Sequence, residues 1–158
     1  MIKHNFPPIF DENSKILILG SFPSVVSREI DFYYGNPRNR FWPLMAELLK
    51  TKKPTTTEER IKLLLDNRIA LYDAMKSAEI TGSMDKDIRN YRLANIGDIL
   101  GKSNIVNIYC NGRKAYDVVT KEMKYNAILL PSTSPANARY GFEKLLEAWK
   151  IILHDLKR

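Results

Sequence analysis

The sequence predicts an α/β fold in which a four-stranded parallel sheet lies between two layers of helices, a three-layer α/β/α sandwich. Three observations predict it. The length of 158 residues suits a single domain, residues 1–158, with one core. Four short apolar runs are nearly continuous, as expected for strands that are buried on both faces of a parallel sheet. Segments with helical periodicity separate these runs, which favours right-handed crossovers.

The four predicted strands are Lys15–Leu19, Arg68–Tyr72, Asn104–Tyr109 and Asn126–Leu130. Each is rich in Ile, Val, Leu or Tyr. Open α/β sheets bind their ligands at the carboxyl ends of the strands, in the loops that follow them. We therefore expect the functional residues in the loops after these runs.

Helical segments are predicted between and after the strands. One begins at Thr56, which has the spacing of a capping box with Glu59 ahead of the apolar residues Ile61, Leu64 and Leu65. Another carries an apolar stripe at helical period, formed by Ala115, Val118, Val119 and Met123. The last is predicted as one continuous helix whose apolar face is Phe142, Leu145, Leu146, Trp149, Ile152, Leu153 and Leu156.

Charge and apolar content narrow the class of function. With 25 Lys and Arg against 18 Asp and Glu, the net charge is +7, and a basic surface attracts polyanions, so nucleic acid is the leading partner. The longest apolar stretches, residues 16–19 and 127–130, fall far short of the roughly 18 residues of a membrane span. The first residues lack the apolar core of a secretory leader. We expect a cytoplasmic monomer with no membrane contact.

The single cysteine, Cys110, excludes an internal disulfide and any cysteine-rich metal site. Its place at the end of a predicted strand favours a small buried side chain over a nucleophile. Neither histidine lies near it in the sequence, so no neighbouring base is available to activate the thiol.

The loop after the first strand combines rings, glycine, arginine and amide, a composition typical of a binding site. It runs through Gly20–Ser24 into Asp31–Trp42. Gly20 lets the backbone approach a ligand closely. A base flipped out of DNA needs a flat apolar slot, and the rings available for it are Phe22, Tyr33, Tyr34, Phe41 and Trp42. The cations available to hold phosphates are Arg28, Arg38 and Arg40.

An alternative stays open for two rings of this loop. Phe41 and Trp42 also begin an apparent helix that continues through Leu44, Leu48 and Leu49. Rings at such positions can simply cover the sheet as part of the core. The pattern supports both interpretations equally.

The loop after the fourth strand places small hydroxyl residues between two prolines. It reads Leu130–Asn137, with Ser132, Thr133 and Ser134 between Pro131 and Pro135. A stiff turn of this kind offers amides and hydroxyls that can grip a phosphate, although such turns also serve as plain connections. Within residues 136–140, Asn137 or Arg139 is a candidate to fill the gap that an extruded nucleotide leaves.

Gly20–Ser24, Phe32–Trp42 and Leu130–Asn137 together resemble the hypoxanthine-DNA glycosylases, a branch of the uracil-DNA glycosylase superfamily. The resemblance extends over essentially the whole chain. It implies a uracil-DNA-glycosylase-like fold. It also implies hydrolysis of the N-glycosidic bond between deoxyribose and a deaminated base, hypoxanthine above all or uracil, in base excision repair of DNA. No metal and no organic cofactor are implied.

The resemblance and the loop compositions together nominate site residues. Asn39 matches the catalytic asparagine of the branch, which we expect to hold the attacking water or to orient the sugar at C1′. The residues expected to bind the base are Gly20, Ser21, Phe22, Tyr34 and Asp73. The residues expected to hold the DNA backbone are Arg38, Arg40, Ser132, Thr133, Ser134, Pro135 and Asn137.

The chain departs from the wider superfamily in both loops. Ser21 and Phe22 stand where other members keep an acidic or amide group, and Leu130–Ser132 lacks the histidine that many members carry. The usual water-activating group and the protonated-histidine route are therefore missing from those positions. Asp73 stands where the superfamily has its base-reading amide. It either accepts a hydrogen bond from a ring N–H of the base or caps a helix that begins near Ala74.

Other functions fit parts of the pattern. A nucleic-acid-binding module on the same scaffold predicts binding without base release. A nucleoside or phosphoester hydrolase places a metal among Asp73, Asp85 and Asp87, although Asp85–Asp87 is more simply a solvated turn. Asn111–Lys114 fits a phosphate site at a helix start and, more commonly, an Asn-Gly turn.

Overall fold

The computed structural model of the chain describes residues 1–30, 32–80 and 88–157. The strands, in chain order, are β1 (Ile2–Lys3), β2 (Ile16–Gly20), β3 (Ile69–Asp73), β4 (Met75–Ile80), β5 (Ile88–Leu93), β6 (Asn107–Asn111) and β7 (Ile128–Leu130). The helices are α1 (Val25–Ile30), α2 (Phe41–Leu48), α3 (Thr57–Asp66), α4 (Ile96–Gly101), α5 (Arg113–Asp117), α6 (Phe142–Trp149) and α7 (Ile151–Leu156). A π-helical turn, Val118–Glu122, continues α5.

The four predicted strands form one parallel sheet in the order β3-β2-β6-β7. The central strand β2 pairs on both sides, with Ile16 opposite Ile69 and opposite Asn107, and all five of its residues are buried. This confirms the predicted four-stranded parallel sheet. Some strand boundaries differ from the prediction. β2 begins at Ile16 instead of Lys15, and β6 begins at Asn107 instead of Asn104.

Helices cover both faces of this sheet, which confirms the three predicted layers. On one face, apolar side chains of α2, α3, α6 and α7 pack together with Ile16 and Ile18. On the other face, side chains of α4, α5 and the π-helical turn pack with Leu17 and Leu19. The alternation follows from strand geometry, since successive side chains point to opposite faces. Among the described helices, none is long and apolar enough to cross a membrane.

The predicted helix Phe142–Leu156 is divided in two, so the prediction of one continuous helix was wrong. Lys150 separates α6 from α7, with φ −57° and ψ −22°. The Leu153 amide bonds the Lys150 carbonyl at 3.0 Å, the tighter i to i−3 pattern that interrupts α-helical bonding. The apolar stripe survives the change, because Leu145, Trp149 and Ile152 are all fully buried.

A second sheet lies beside the first and was not predicted. It is antiparallel, with the order β1-β4-β5, and its strand β4 follows β3 after Ala74 alone. A helix near Ala74 was therefore a wrong prediction, and so was the alternative in which Asp73 caps it. The signal in the sequence was weak, because the register of β4 against β5 shifts at two points and breaks the simple alternation of buried and exposed residues.

Candidate active site

The last residue of every strand in the parallel sheet lines one cavity. These residues are Gly20, Asp73, Asn111 and Leu130. The cavity has a volume of about 720 Å³, within the roughly 300–1,000 Å³ of small-molecule sites. Its position at the carboxyl ends of parallel strands is where α/β folds place their ligands, so this cavity is the candidate site.

Gly20 and Asp73 form one wall of the cavity. The two residues are paired neighbours at the ends of β2 and β3. A Cβ atom built on Gly20 lies 2.5 Å from Asp73 Oδ1 and 2.8 Å from the Tyr34 hydroxyl oxygen, closer than non-bonded atoms approach. Only glycine therefore allows both polar groups to stand over the end of β2. The close approach of a ligand to Gly20 stays a prediction, and the near neighbours in the structure are Asp73 and Tyr34.

Tyr34 and Phe22 are two of the four aromatic residues that line the cavity, together with Tyr33 and Tyr140. Tyr34 has φ 53°, an uncommon conformation for a bulky residue, and its ring stacks on Phe41 with centroids 4.3 Å apart. Phe41 and Trp42 are 0% and 2% exposed and belong to the core. For these two rings the core interpretation is confirmed.

Two tyrosines near Asp73 have hydroxyls with raised pKa values. Burial, together with the nearby Asp73 carboxylate, raises the pKa of Tyr33 and of Tyr72. The Tyr33 hydroxyl donates a hydrogen bond to the Pro7 carbonyl at 2.7 Å, which anchors the aromatic loop to the N-terminal segment.

Asn39 lines the cavity, and its orientation is fixed by a hydrogen bond to the start of the following helix, α2. Its Oδ1 accepts a hydrogen bond from the Phe41 amide at 2.9 Å, an Asx turn that starts α2. Because this bond identifies the oxygen, the amide nitrogen Nδ2 is the atom left to serve the cavity. Nδ2 has no hydrogen bond within the described residues. Asn39 therefore offers a ligand a hydrogen-bond donor.

The second loop is held to the end of β6 by a two-point amide clamp. Asn111 Nδ2 donates to Thr133 Oγ1 at 3.0 Å, and Asn111 Oδ1 accepts from the Thr133 amide at 3.0 Å. Both side chains are buried. Within the loop, the hydroxyls of Ser132 and Ser134 each accept from the amide two residues later, and Asn137 Nδ2 donates to the Ser132 carbonyl at 3.0 Å. The predicted stiff turn is thus tied at several points.

Arg40 connects the two loops. Its guanidinium donates to carbonyls of the second loop, those of Thr133 at 3.3 Å, Ser134 at 2.7 Å and Asn137 at 3.2 Å, and also to that of Tyr140. Its backbone amide bonds the Thr133 carbonyl as well. These contacts hold the first loop against the second, and the DNA contact expected of Arg40 stays a prediction.

The remaining predicted DNA contacts are distributed around the opening. Ser132, Thr133, Ser134 and Asn137 line the cavity, whereas the exposed Arg38 and Pro135 lie outside its lining. Two exposed cations, Arg113 and Arg139, stand at the lining. Among the described lining residues the only carboxylate is Asp73, which is 3% exposed. The site therefore combines a basic rim with one buried acceptor.

Comparison with known proteins agrees with this architecture. The family model of the uracil DNA glycosylase superfamily matches residues 7–157. The chain belongs to the uracil DNA glycosylase superfamily.

Two relatives and one solved structure show how far the similarity extends. A protein of Methanosarcina acetivorans named hypoxanthine DNA glycosylase is 36% identical, over 96% of this chain and 98% of its own. One of Methanosarcina barkeri with the same name is 34% identical, over 88% and 90%. A solution NMR structure from Methanosarcina acetivorans, assigned as a uracil DNA glycosylase, superimposes with a TM-score of 0.83 at 36% identity over the full length of both chains.

Within this superfamily fold, two residues of the site escaped the sequence analysis. Asn111 was considered as part of a phosphate site at a helix start or of an Asn-Gly turn, and its hydrogen bonds to Thr133, which shape the second loop, were not foreseen. His4 was not considered for the site, yet its Nε2 lies 2.8 Å from Asp73 Oδ2. Both partners are distant in sequence, and no local pattern marks them.

Three further sequence predictions concern Cys110, the turn at Gly112 and a metal site among aspartates. Cys110 is buried, and burial raises the pKa of its thiol to about 12, so the predicted inert side chain is confirmed. Gly112 has φ 98° and lies before α5, against Ser132. Asp85 and Asp87, nominated for a metal with Asp73, lie outside the described residues. No cluster of three potential metal ligands occurs among the residues that are described.

Proposed function

We propose that this chain is a DNA glycosylase that hydrolyses the N-glycosidic bond of a deaminated base, hypoxanthine above all and uracil as a second substrate. The observation that carries the proposal is the cavity that the ends of all four parallel strands share, with Asn39 and Asp73 both facing it. The names of the two Methanosarcina relatives support hypoxanthine as the substrate. A base that is mispaired after deamination costs least to extrude from the duplex.

Asp73 recognises the extruded base in this proposal. Its buried carboxylate accepts a hydrogen bond from a ring N–H, which hypoxanthine and uracil both carry and which unmodified adenine and cytosine lack at the corresponding ring nitrogen. Phe22 and Tyr34 offer apolar faces for the base. Tyr34 is held in place by its stacking on Phe41.

Asn39 is the catalytic residue that we propose. Cleavage develops positive charge on the sugar, and water then adds to C1′ while the departing base gains a proton. An amide is a weak base, so its contribution is to position an oxygen atom of the water or sugar through the Nδ2 donor. The DNA phosphates themselves stabilise the cationic sugar.

The second loop grips the DNA backbone in this proposal. The Ser132 and Ser134 hydroxyls accept hydrogen bonds within the loop and can still donate their protons to a phosphate, while the buried Thr133 holds the loop in place. Arg38 adds a charge contact outside the cavity. Arg139, exposed at the lining, is the candidate to enter the gap in the base stack, since the amide of Asn137 is occupied within its own loop. We further propose that residues 1–158 form one domain that acts as a cytoplasmic monomer, without metal or organic cofactor.

The test is base release by the purified protein from a duplex that contains one deoxyinosine, with a chelator present. We expect free hypoxanthine and strand breaks after alkali, and Asn39→Ala lowers the single-turnover rate by at least about 100-fold because positioning at C1′ is lost. Asn39→Ser is the matched control, because a serine hydroxyl preserves an acceptor for the start of α2. It should keep wild-type stability and still lose activity.

Intact strands after alkali, together with tight DNA binding, would instead favour a binding module without turnover. Loss of release in the presence of chelator would favour the metal-dependent alternative. An Asn39→Ala protein with the wild-type rate would remove Asn39 from the mechanism.

A further inference from the structure

His4, near the N-terminus, contacts the site residue Asp73, which lies 69 residues later in the chain. The strand β1 pairs with β4, with Ile2 opposite Ala78 and Lys3 opposite Ser77. The His4 amide then bonds the Lys76 carbonyl at 2.8 Å. These contacts lay the N-terminal segment across the junction of β3 and β4 and bring the imidazole to Asp73.

The His4 ring is enclosed by apolar surface. Its side chain is 1% exposed, and it lies among the rings of Phe6, Phe22, Tyr33 and Tyr72 at centroid distances of 4.5 to 6.0 Å. Its polar contact is the 2.8 Å bond from Nε2 to Asp73 Oδ2, and its Nδ1 is buried without a partner in the described residues. A carboxylate only accepts, so Nε2 carries the proton.

This bond decides which atom of Asp73 faces the cavity. Oδ2 is occupied by His4, and Oδ1 stands above Gly20, where a Cβ atom on that glycine would lie only 2.5 Å from it. A carboxylate offers only acceptor oxygens. With Oδ2 taken by the His4 donor, Oδ1 is the oxygen left to accept a hydrogen bond from a ligand.

We propose that His4 is a positioning residue that fixes Asp73 as a hydrogen-bond acceptor, with Oδ1 directed at the bound base. The inference rests on the proposed function and deepens it, since it assigns to the N-terminal segment the control of base recognition. His4 acts through Asp73 and touches neither the sugar nor the water.

The test compares variants with and without a donor at position 4. His4→Phe and His4→Leu lack the donor, and the first keeps an aromatic ring in the apolar enclosure. His4→Gln places an amide donor near the position of Nε2. Phe6→Leu is the matched control, because it disturbs the ring that packs on His4 at 4.5 Å and leaves the bond to Asp73 intact.

Single-turnover release of hypoxanthine and of uracil and affinity for a duplex with an abasic analogue are the measurements. We expect the donor-free variants to lose about 10- to 100-fold in rate on both bases, as for a hydrogen bond to a charged group. Affinity for the abasic duplex stays within about twofold, because that duplex has no base to recognise. His4→Gln recovers most of the rate, and Phe6→Leu stays close to wild type.

In a protein that carries Asp73→Asn, removal of the His4 donor is expected to raise the rate of base release instead of lowering it. In Asp73→Asn, the donor of His4 selects the amide oxygen and turns the amide nitrogen toward the cavity, which opposes a ring N–H. Hypoxanthine release falls in this variant. Adding His4→Phe frees the amide to rotate, and the rate rises, whereas a purely structural role of His4 predicts a further fall.

The possible outcomes distinguish a failure of the proposed role of His4 from a failure of the proposed glycosylase function. Wild-type rates in the donor-free variants, equal losses on abasic DNA, or no rescue by His4→Gln would overturn the role of His4 while the glycosylase function stands. A wild-type protein that releases no base overturns the proposed function and the inference with it.

Discussion

Single residues set the geometry of this site through what they leave out as much as through what they contribute. Gly20 has no side chain, and for that reason Asp73 and Tyr34 can both stand over the end of β2. Asp73 and Asn39 could be nominated from the sequence because the first ends a predicted strand and the second lies in the aromatic loop, at positions that match those of the family that the chain resembles. His4 could not, because it contacts a residue 69 positions away, and no local periodicity encodes such a contact.

Substitution of Gly20 by alanine tests the crowding directly. The new Cβ meets Asp73 Oδ1 and the Tyr34 hydroxyl inside contact distance, so one of the two must move. We expect Gly20→Ala to reduce single-turnover base release by at least about tenfold and to cost about 1–3 kcal/mol of unfolding free energy, as overpacking does.

Gly101→Ala is the control for this substitution. A Cβ at Gly101 meets nothing within 4 Å, so both activity and stability should be preserved. Wild-type activity in Gly20→Ala would show that the wall of the cavity yields more readily than its contacts indicate.

Among the helices and strands, the strands whose residues are mostly buried were all predicted from the sequence. The four parallel strands were found because they read as continuous apolar runs, and nearly all residues of β2, β3 and β6 are buried. The strands β4 and β5 were missed because each is exposed on one face, at Lys76 and Arg92 for example, and shifts register. The break at Lys150 leaves the apolar stripe unchanged and was therefore invisible in the sequence.

The capping box of α3 is an element that sequence and structure describe alike. Thr56 Oγ1 accepts from the Glu59 amide at 3.0 Å, and Glu59 Oε1 accepts from the amides of Thr55 and Thr56. These backbone hydrogen bonds lower the pKa of Glu59 to about 2 from its ordinary 4.5. The carboxylate therefore stabilises the folded chain above pH 4.5, and this contribution is lost as the pH falls toward 2.

A Glu59→Gln variant should lose less stability than wild type between pH 5 and pH 2, because it lacks the group whose protonation weakens the cap. Urea unfolding followed by circular dichroism at several pH values provides the measurement. Glu58→Gln removes a neighbouring charge and none of these bonds, so it should retain the acid sensitivity of wild type. Parallel curves for wild type and Glu59→Gln would contradict the assignment.

At the scale of the whole molecule, the net charge is +7, and the cations at the cavity have the same sign as this overall charge. The charge and the fold class were predictable from composition and apolar patterning. The contacts of Arg40 with the second loop were not predictable, because they form only in the folded chain, across sequence separations of 93 to 100 residues.

The salt dependence of DNA affinity separates these cations. Each phosphate contact adds about 0.9 to the slope of log affinity against log salt. We expect Arg38→Gln to reduce that slope by about one contact, since Arg38 is exposed beside the cavity. Lys62→Gln, which removes the same charge from α3 and from its pair with Asp66, should leave the slope unchanged. Equal slopes for all three proteins would exclude Arg38 from the interface.

The bonds from Arg40 to the second loop have a consequence for protein engineering. A loop graft between members of this superfamily must transfer residues 20–42 and 131–140 as a matched pair, because the guanidinium of one loop is seated on the carbonyls of the other. A chimera that receives only one loop would have either the arginine without its carbonyl acceptors or the carbonyls without the arginine. The unit that can be exchanged is the pair of loops.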